Sequence, residues 1–462
     1  MTAQKRSLRS HVATAAGRTA KAASKLLGRG AGGMIGGQVA LTLDPSVMRE
    51  LARGRRCVTV TGTNGKSTTN RMVRAALSTQ AHVASNVNGD NMPPGIVTAL
   101  MNDVDAPFAA LEVDEMHLPI VADAVDPAAM ILLNLSRDQL DRVGEIGSVE
   151  KRLREAVESH PDAVVVANCD DPLIASAAWD SPNVVWVAAG MGWGVDSVSF
   201  PRGGRVVRGG PVGNDEGRDW KVVPIDAESD QTVTRFRRPD ATWWLEDIHD
   251  GVSGESGASA TIVRAGGERI PLELALPGRA NLGNALQAIV AAHALGIAPV
   301  VAAQAVARVA EVAGRYARYD IDGRSVRTML AKNPAGWQEA MGMIDPDVDQ
   351  VVVAVNGQVA DGQDLSWLWD VSFEALREQA HARIIACGER GSDLVVRMEY
   401  AGFEPEYART PIEAIRMCDP GPVELLANYT ALRDLKKVLE KETSKASAAD
   451  TAADTAKGAG NE

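Results

Sequence analysis

The sequence predicts an α/β protein: a central phosphate-binding domain on a parallel sheet, carrying a β-rich insertion and followed by a smaller α/β domain. Three observations predict it. Strand and helix patterns alternate over residues 47–190, the pattern of a doubly wound parallel sheet. The run Val58-Thr59-Val60-Thr61-Gly62-Thr63-Asn64-Gly65-Lys66-Ser67-Thr68-Thr69 passes from a β-branched strand through a glycine turn into a helix. A second alternation of strand and helix follows residue 314.

In chain order, residues 1–46 form a basic lead-in. Lys5, Arg6, Arg9, Arg18, Lys21, Lys25 and Arg29 stand there with no acid before Asp44, and the segment closes on a glycine-rich patch, Gly28 to Gly37. It has no apolar secretory core. A transit-like segment, a helix lying on the protein or near anionic lipid, and a solvated helix face are all consistent with it.

The central domain is assigned to 47–313. Strands are expected at 57–61, 107–113, 129–134, 163–167 and 184–188, with helices near 66–79, 93–102 and 148–158. Residues 191–265, rich in Gly, Asp, Arg and Trp, read as the β-rich insertion, and helices return at 281–313. The C-terminal domain is assigned to 314–440, with strands near 350–355, 383–387 and 423–426 and helices near 335–343, 373–380 and 429–440. From 441 to 462 the chain lacks periodicity and reads as a disordered tail.

Composition narrows the function classes. The chain of 462 residues has a formal net charge of -12, which argues against general nucleic-acid binding. Cys57, Cys169, Cys387 and Cys418 are far apart and form no C-x-x-C pair, so neither a zinc site nor a disulfide framework is expected, and a reducing cytoplasm fits. The alanine-rich stretch 285–313 is broken by Gln287, His293, Pro299 and Gln304, so it reads as two helices, not a membrane span.

The chemistry begins at the glycine turn. Glycines let backbone N–H groups face an anion, Lys66 adds a point charge, Ser67 can reach a phosphate-bound Mg²⁺, and a helix N-terminus favours negative charge. Val60 stands where the first glycine of the usual eight-residue loop would be. A metal ligand is expected nearby, and Glu112-Val113-Asp114-Glu115 ends a strand with carboxylates. Glu112 follows an apolar run, which singles it out from solvated strand-end acids.

Taken in order, these motifs resemble the Mur ligase family and the related folylpolyglutamate synthases. Gly62 to Thr68 is similar to their ATP loop, and Glu112 stands at their Mg²⁺ position. Asn134-Leu135-Ser136-Arg137-Asp138-Gln139-Leu140-Asp141 resembles an Asn-x-x-x-Asp-His-Leu-Asp segment with Gln139 for histidine. Asn168-Cys169-Asp170-Asp171 matches a strand-end motif, and Gly278 to Ala285 resembles a helix start whose second asparagine, Asn284, lies by the adenine. The resemblance makes Gly62, Thr63, Asn64, Gly65, Lys66, Ser67, Thr68, Asn281, Asn284 and Arg315 nucleotide-site candidates, with Ser67 and Glu112 toward the metal.

Further segments resemble the MurT branch of that family: 32–37, 88–93, 137–142, 332–337, 360–367 and 428–431. That resemblance implies ATP-dependent amidation of the D-glutamate α-carboxylate of the lipid II stem peptide through an acyl phosphate. It places Asn88, Lys332 and Asn333 on the substrate side. It implies a heterodimer with a class I glutaminase resembling GatD, because no glutaminase nucleophile is evident in this chain. An acid of the C-terminal domain then orients the partner's catalytic histidine. Asp361 and Asp364 are the candidates, with Asp370 behind them, although Asp-Gly is also ordinary turn chemistry. The resemblance implies a cytoplasmic enzyme, peripheral at the inner membrane face.

Two departures bear on these expectations. Many members of the branch carry a four-cysteine zinc ribbon in the insertion. Here 199–221 has no cysteine, so zinc is not expected and packing must hold the insertion. Lys151 stands roughly where some relatives carry a carbamylated lysine, but it reads as an exposed helical lysine. An amino-acid-adding ligase, a folylpolyglutamate synthase-like ligase and a non-catalytic nucleotide-sensing scaffold are the rival readings.

Overall fold

A computed structural model describes residues 6–26, 33–86, 89–137, 146–210, 218–226, 228–251, 257–310, 316–361, 364–379 and 381–442. The chain divides into two compact units, Met1–Val312 and Ala313–Glu462.

The first unit is built on β1 (Arg56–Thr61), β2 (Val83–Ser85), β3 (Phe108–Glu112), β4 (Ala129–Leu132), β5 (Val164–Asn168), β6 (Val184–Val187), β7 (Arg205–Arg208), β8 (Trp220–Val223), β9 (Trp243–His249), β10 (Ser259–Arg264) and β11 (Arg269–Glu273). Nine of these form one sheet in the order β11-β10-β9-β6-β5-β4-β1-β3-β2. The strands β1 to β6 run parallel. In β1, β3 and β4 nearly every residue is buried, as expected for strands covered on both faces.

The expected insertion divides in two. β7 and β8 form a separate antiparallel ribbon. β9 and β10 instead join the main sheet, through one parallel pair between Val187 and Trp243, and β11 completes an antiparallel edge. Their alternation of buried and exposed residues suits an edge covered on one face.

The lead-in is helical. α1 (Leu8–Leu26) and α2 (Gly33–Leu43) pack on each other, and α2 packs on α5 (Pro93–Asn102); α3 (Val47–Ala52) and α4 (Lys66–Leu77) lie between α2 and α5 in the chain. Small residues let these helices approach. A Cβ on Gly17 would stand 2.6 Å from the Gly36 carbonyl, and one on Gly37 would stand 1.7 Å from that of Pro94. The helix Arg279–Ala294 packs on α4, β4, β5 and β9 and is buried almost all round, from Asn281 to Ala292.

The second unit holds β12 (Tyr316–Ile321), β13 (Arg324–Leu330), β14 (Gln350–Ala354), β15 (Arg383–Cys387), β16 (Glu406–Ala408) and β17 (Gly421–Ala427). Their order is β12-β13-β17-β14-β15-β16, parallel except for the β12–β13 hairpin. The helix expected at 373–380 is a 3₁₀ segment, Phe373–Gln379. Its buried Phe373 and Leu376 are three residues apart, the spacing a 3₁₀ turn aligns on one face. The last described helix spans 429–442, and 443–462 lies outside the described residues.

Candidate functional site

At the carboxyl end of β1 the chain turns through Gly62 (φ 134°) and Gly65 (φ 86°) before α4 begins at Lys66. Both glycines are sterically required. A Cβ on Gly62 would lie 2.9 Å from the Asn134 carbonyl oxygen, and one on Gly65 would lie 2.6 Å from Asn284 Oδ1. The loop is braced by the segment after β4. Thr63 N–H donates to the Asn134 carbonyl (2.9 Å), Asn64 N–H to Asn134 Oδ1 (2.9 Å), and Asn134 Nδ2 returns a bond to the Asn64 carbonyl (3.1 Å). Ser136 N–H donates to Thr63 Oγ1 (2.9 Å), whose hydroxyl donates to the Ser136 carbonyl (3.1 Å).

Lys66 folds back over this loop. Its Nζ donates to the carbonyls of Gly62 (2.6 Å) and Thr63 (3.2 Å) and pairs with Glu115 Oε1 at 3.0 Å. Both side chains are mostly buried. Burial raises the Glu115 carboxyl above its ordinary range, and the Lys66 charge partly offsets that. Ser67 is half-buried at the helix start, and Thr68 is buried.

The strand-end acids lie beside the loop because β1 and β3 pair in parallel with Val60 opposite Glu112. Glu112 is buried, with Asn91 Nδ2 3.4 Å from Oε1. Its backbone is clamped by one side chain: Glu112 N–H donates to Asn86 Oδ1 (2.8 Å), and Asn86 Nδ2 donates to the Glu112 carbonyl (2.7 Å). Asn70, on α4, donates to Ser85 Oγ (3.1 Å) and approaches Asn86 Oδ1 (3.4 Å). Asp114 caps the short turn Glu115–His117, accepting from Met116 N–H (3.1 Å) with His117 Nδ1 at 3.0 Å. That turn carries Glu115 to Lys66.

Asn284 and Asn281 are both buried at the start of the helix Arg279–Ala294. Asn284 faces Gly65, whereas Asn281 Nδ2 bonds the Pro277 carbonyl (2.6 Å). Asp171 caps the helix Pro172–Ala178 and accepts from Leu135 N–H (2.8 Å), so it supports the bracing segment. Asp170 is fully buried and paired with Arg238 at 2.7 Å. Lys151 is exposed, 4.0 Å from Glu155. Asn88, Arg315 and 138–145 lie outside the described residues.

The ribbon of β7 and β8 is held by aromatic packing. Phe236 meets Trp179 and Phe200, each with ring centroids 4.9 Å apart, and Trp220 is buried with its indole N–H on the Cys169 carbonyl (2.9 Å). All four cysteines are buried, and burial raises every thiol pKa, Cys57 to about 12. No group of three or more metal-binding side chains occurs among the described residues.

In the second unit Lys332 is exposed. Asn333 is buried and caps the helix Pro334–Met341 through Gly336 N–H (2.8 Å). Asp361 is buried, accepting from the N–H (3.1 Å) and the hydroxyl of Thr430. Burial raises its pKa. Asp364 is exposed and accepts from Ser366 N–H (2.9 Å), which lowers its pKa. Asp370 is also exposed. Beside it Trp369 meets Tyr400, with ring centroids 5.3 Å apart and both rings largely exposed.

The sequence did not single out Asn70, Asn86, Asn91 or the Lys66–Glu115 pair. Asn91 and Glu115 lie inside the quoted segments 88–93 and 112–115. Asn86 and Asn70 carry no local signal, because their partners are distant in sequence.

The family model for the Mur ligase middle domain matches residues 60–190, and that for the MurT ligase C-terminal domain matches 330–432. A curated relative from Streptococcus pneumoniae, the MurT subunit of lipid II isoglutaminyl synthase (glutamine-hydrolyzing), is 27% identical over 92% of this chain and 95% of its own. The Staphylococcus aureus subunit of the same name is 26% identical over 91% and 96%. Among solved structures, a pseudomurein peptide ligase type C from Methanothermus fervidus aligns over 87% of this chain and 84% of its own, with a TM-score of 0.64 at 17% identity. MurF from Acinetobacter baumannii aligns over 87% and 80%, with a TM-score of 0.63 at 16% identity. These last two likenesses concern the fold.

Proposed function

We propose a function from one premise: the chain belongs to the Mur ligase family, in its MurT branch. It is the ligase subunit of a lipid II isoglutaminyl synthase. It amidates the α-carboxylate of the stem-peptide D-glutamate to D-isoglutamine, consuming ATP and using ammonia from a class I glutaminase partner. The observation that carries the reading is the register of Val60 against Glu112, which sets a glycine loop with its lysine beside buried strand-end carboxylates.

The residues fit a nucleotide triphosphate and a divalent cation. Two glycines with positive φ shape the turn, the first-turn amides of α4 lie at its end, and Lys66 already rests on the loop's own carbonyls. Lys66 and the amides of 62–68 would hold the phosphates, Asn284 the nucleotide side next to Gly65, and Ser67 with Glu112 the cation. ATP supplies the phosphoryl group that turns a poorly electrophilic carboxylate into an acyl phosphate, and Mg²⁺ neutralises the charge involved. The chain's own part is positioning. Asn134 and Ser136 hold the loop, Asn86 fixes the Glu112 backbone, and Glu115 retains Lys66 over the turn.

Ammonia needs a source that keeps it unprotonated, which a partner supplies. The buried cysteines of this chain, with raised thiol pKa values, support assigning glutamine hydrolysis elsewhere. Asp364 and Asp370, both exposed, are the acids assigned to meet a partner's histidine; Lys332 belongs to the substrate side. No helix among the described residues is long and apolar enough to cross a membrane.

The test is reconstitution with lipid II and ATP, comparing ammonium, glutamine plus the glutaminase, and free amino acids as donors. Amidation with ammonium that disappears in Lys66→Ala is expected. Incorporation of an amino acid instead, or undiminished amidation in that variant, overturns the reading.

A further inference from the structure

We propose that the outer face of α1 is a docking surface for an anionic lipid bilayer. Leu8, Val12, Ala15, Thr19, Ala22 and Leu26 follow one another at intervals of four, three, four, three and four residues. At 100° per residue they form one stripe along the helix. All six are exposed, Leu8 at 82% and Leu26 at 89%. The opposite face, which packs inward, is small and polar: Ser10, Ala13, Thr14, Gly17 and Ser24. The helix therefore buries its small residues and shows its large apolar ones, which the packing of this unit does not require.

Charge identifies the occupant. The first 43 residues hold seven Lys and Arg and no acid, in a chain of net charge -12. Four basic side chains of α1 and its start bond neutral oxygens. Arg6 donates to the Val104 carbonyl (2.9 Å), Arg9 to that of Leu43 (2.8 Å), Arg18 to that of Met101 (3.2 Å) and Lys21 to Asn102 Oδ1 (2.9 Å). These bonds fix the side chains without neutralising them. An acidic protein is repelled by an anionic leaflet except where such a patch faces it. An apolar stripe with basic flanks, on a helix too polar to span, lies in the plane of the headgroups.

The inference deepens the reading above and rests on it for the lipid-borne substrate, but its test does not involve catalysis. The full chain is mixed with vesicles of phosphatidylcholine, with or without phosphatidylglycerol, lacking substrate and ATP, and floated on a density gradient. Flotation with the phosphatidylglycerol vesicles only, weakening steeply with salt, is expected. The triple variant Leu8→Glu, Val12→Glu, Leu26→Glu should lose it at least tenfold at an unchanged melting temperature, and Lys25→Ala should weaken it roughly fivefold. A wild-type chain that stays off anionic vesicles at low salt, or a triple variant that floats undiminished, overturns the proposal. So does a wild-type dimer that the triple variant turns into a monomer, since the stripe would then cover a second copy. Amidation of a detergent-solubilised substrate by the triple variant, measured separately, tests the ligase reading without the bilayer.

Discussion

Lys66 Nζ stands 3.0 Å from Glu115 Oε1 and donates to two carbonyls of its own loop, those of Gly62 and Thr63. The side chain that a phosphate loop presents to its nucleotide is thus held by a buried carboxylate from a different strand end.

That pair has a stability consequence. Burial already raises the Glu115 pKa, with Lys66 opposing the rise. Lys66→Ala leaves a buried carboxylate unpaired and should cost about 3 kcal/mol at neutral pH. The penalty should shrink on acidification, as Glu115 takes up a proton. Glu115→Gln in the same chain should recover most of the loss. Urea denaturation of the two single variants and the double variant measures this, and additive effects would refute the coupling.

Glu112 separates chemistry from folding. Its carboxylate and its backbone have different partners, Asn91 and Asn86. Glu112→Ala should fold, bind nucleotide more weakly and lose ATP-dependent amidation by about 100-fold or more. Asn86→Ala should act the other way round, costing about 2 kcal/mol because a buried N–H and carbonyl lose their partners. Near-normal turnover in Glu112→Ala would remove that residue from the cation site.

The aspartates of the second unit should divide in the same manner. Asp361 holds the Thr430 N–H and hydroxyl at the start of helix 429–442, so Asp361→Ala should lower the melting temperature, a loss of about 1–3 kcal/mol. Asp364 is exposed and bonds only the adjacent turn among its described contacts. Asp364→Ala should keep the melting temperature and the ammonium-driven activity while reducing glutamine-driven activity in the complex. If glutamine works normally in both Asp364→Ala and Asp370→Ala, neither acid serves the partner.

What the sequence made legible follows from local signals. Runs such as Val58–Thr61 and Val351–Ala354 are short, apolar and bounded by turn residues, so strand and position could be read directly. Membership of a sheet could not. Trp243–His249 alternates like any strand, and its place in the main sheet depends on a single distant pair with Val187. Asn333 and Asp361 read in the sequence as substrate-side and catalytic candidates, and each accepts from a backbone N–H of its own unit. The side-chain oxygens that bind ligands also cap helices, and sequence alone does not distinguish the two uses. Glu115 escaped for the converse reason, since only the short turn capped by Asp114 brings it to Lys66.

Asp171 gives the pH-dependent test. It accepts from Leu135, Leu173 and Ile174 N–H groups, yet burial lifts its carboxyl from 3.8 to about 6. Between those values the folded chain retains a proton that the unfolded chain has released. Stability from this group is therefore full below pH 4, falls as pH rises to 6 and is constant above. Over two pH units the loss is roughly 3 kcal/mol. Asp171→Asn cannot ionise and lacks that slope. The stability difference between wild type and Asp171→Asn should therefore move against the wild type from pH 4 to pH 6.5, measured by urea denaturation at each pH. Parallel curves would mean that the three N–H groups, not burial, set the ionisation of Asp171. Because Leu135 lies between Asn134 and Ser136, which brace the phosphate loop, nucleotide affinity at saturating cation should weaken in Asp171→Ala, which leaves that bracing segment without its anchor.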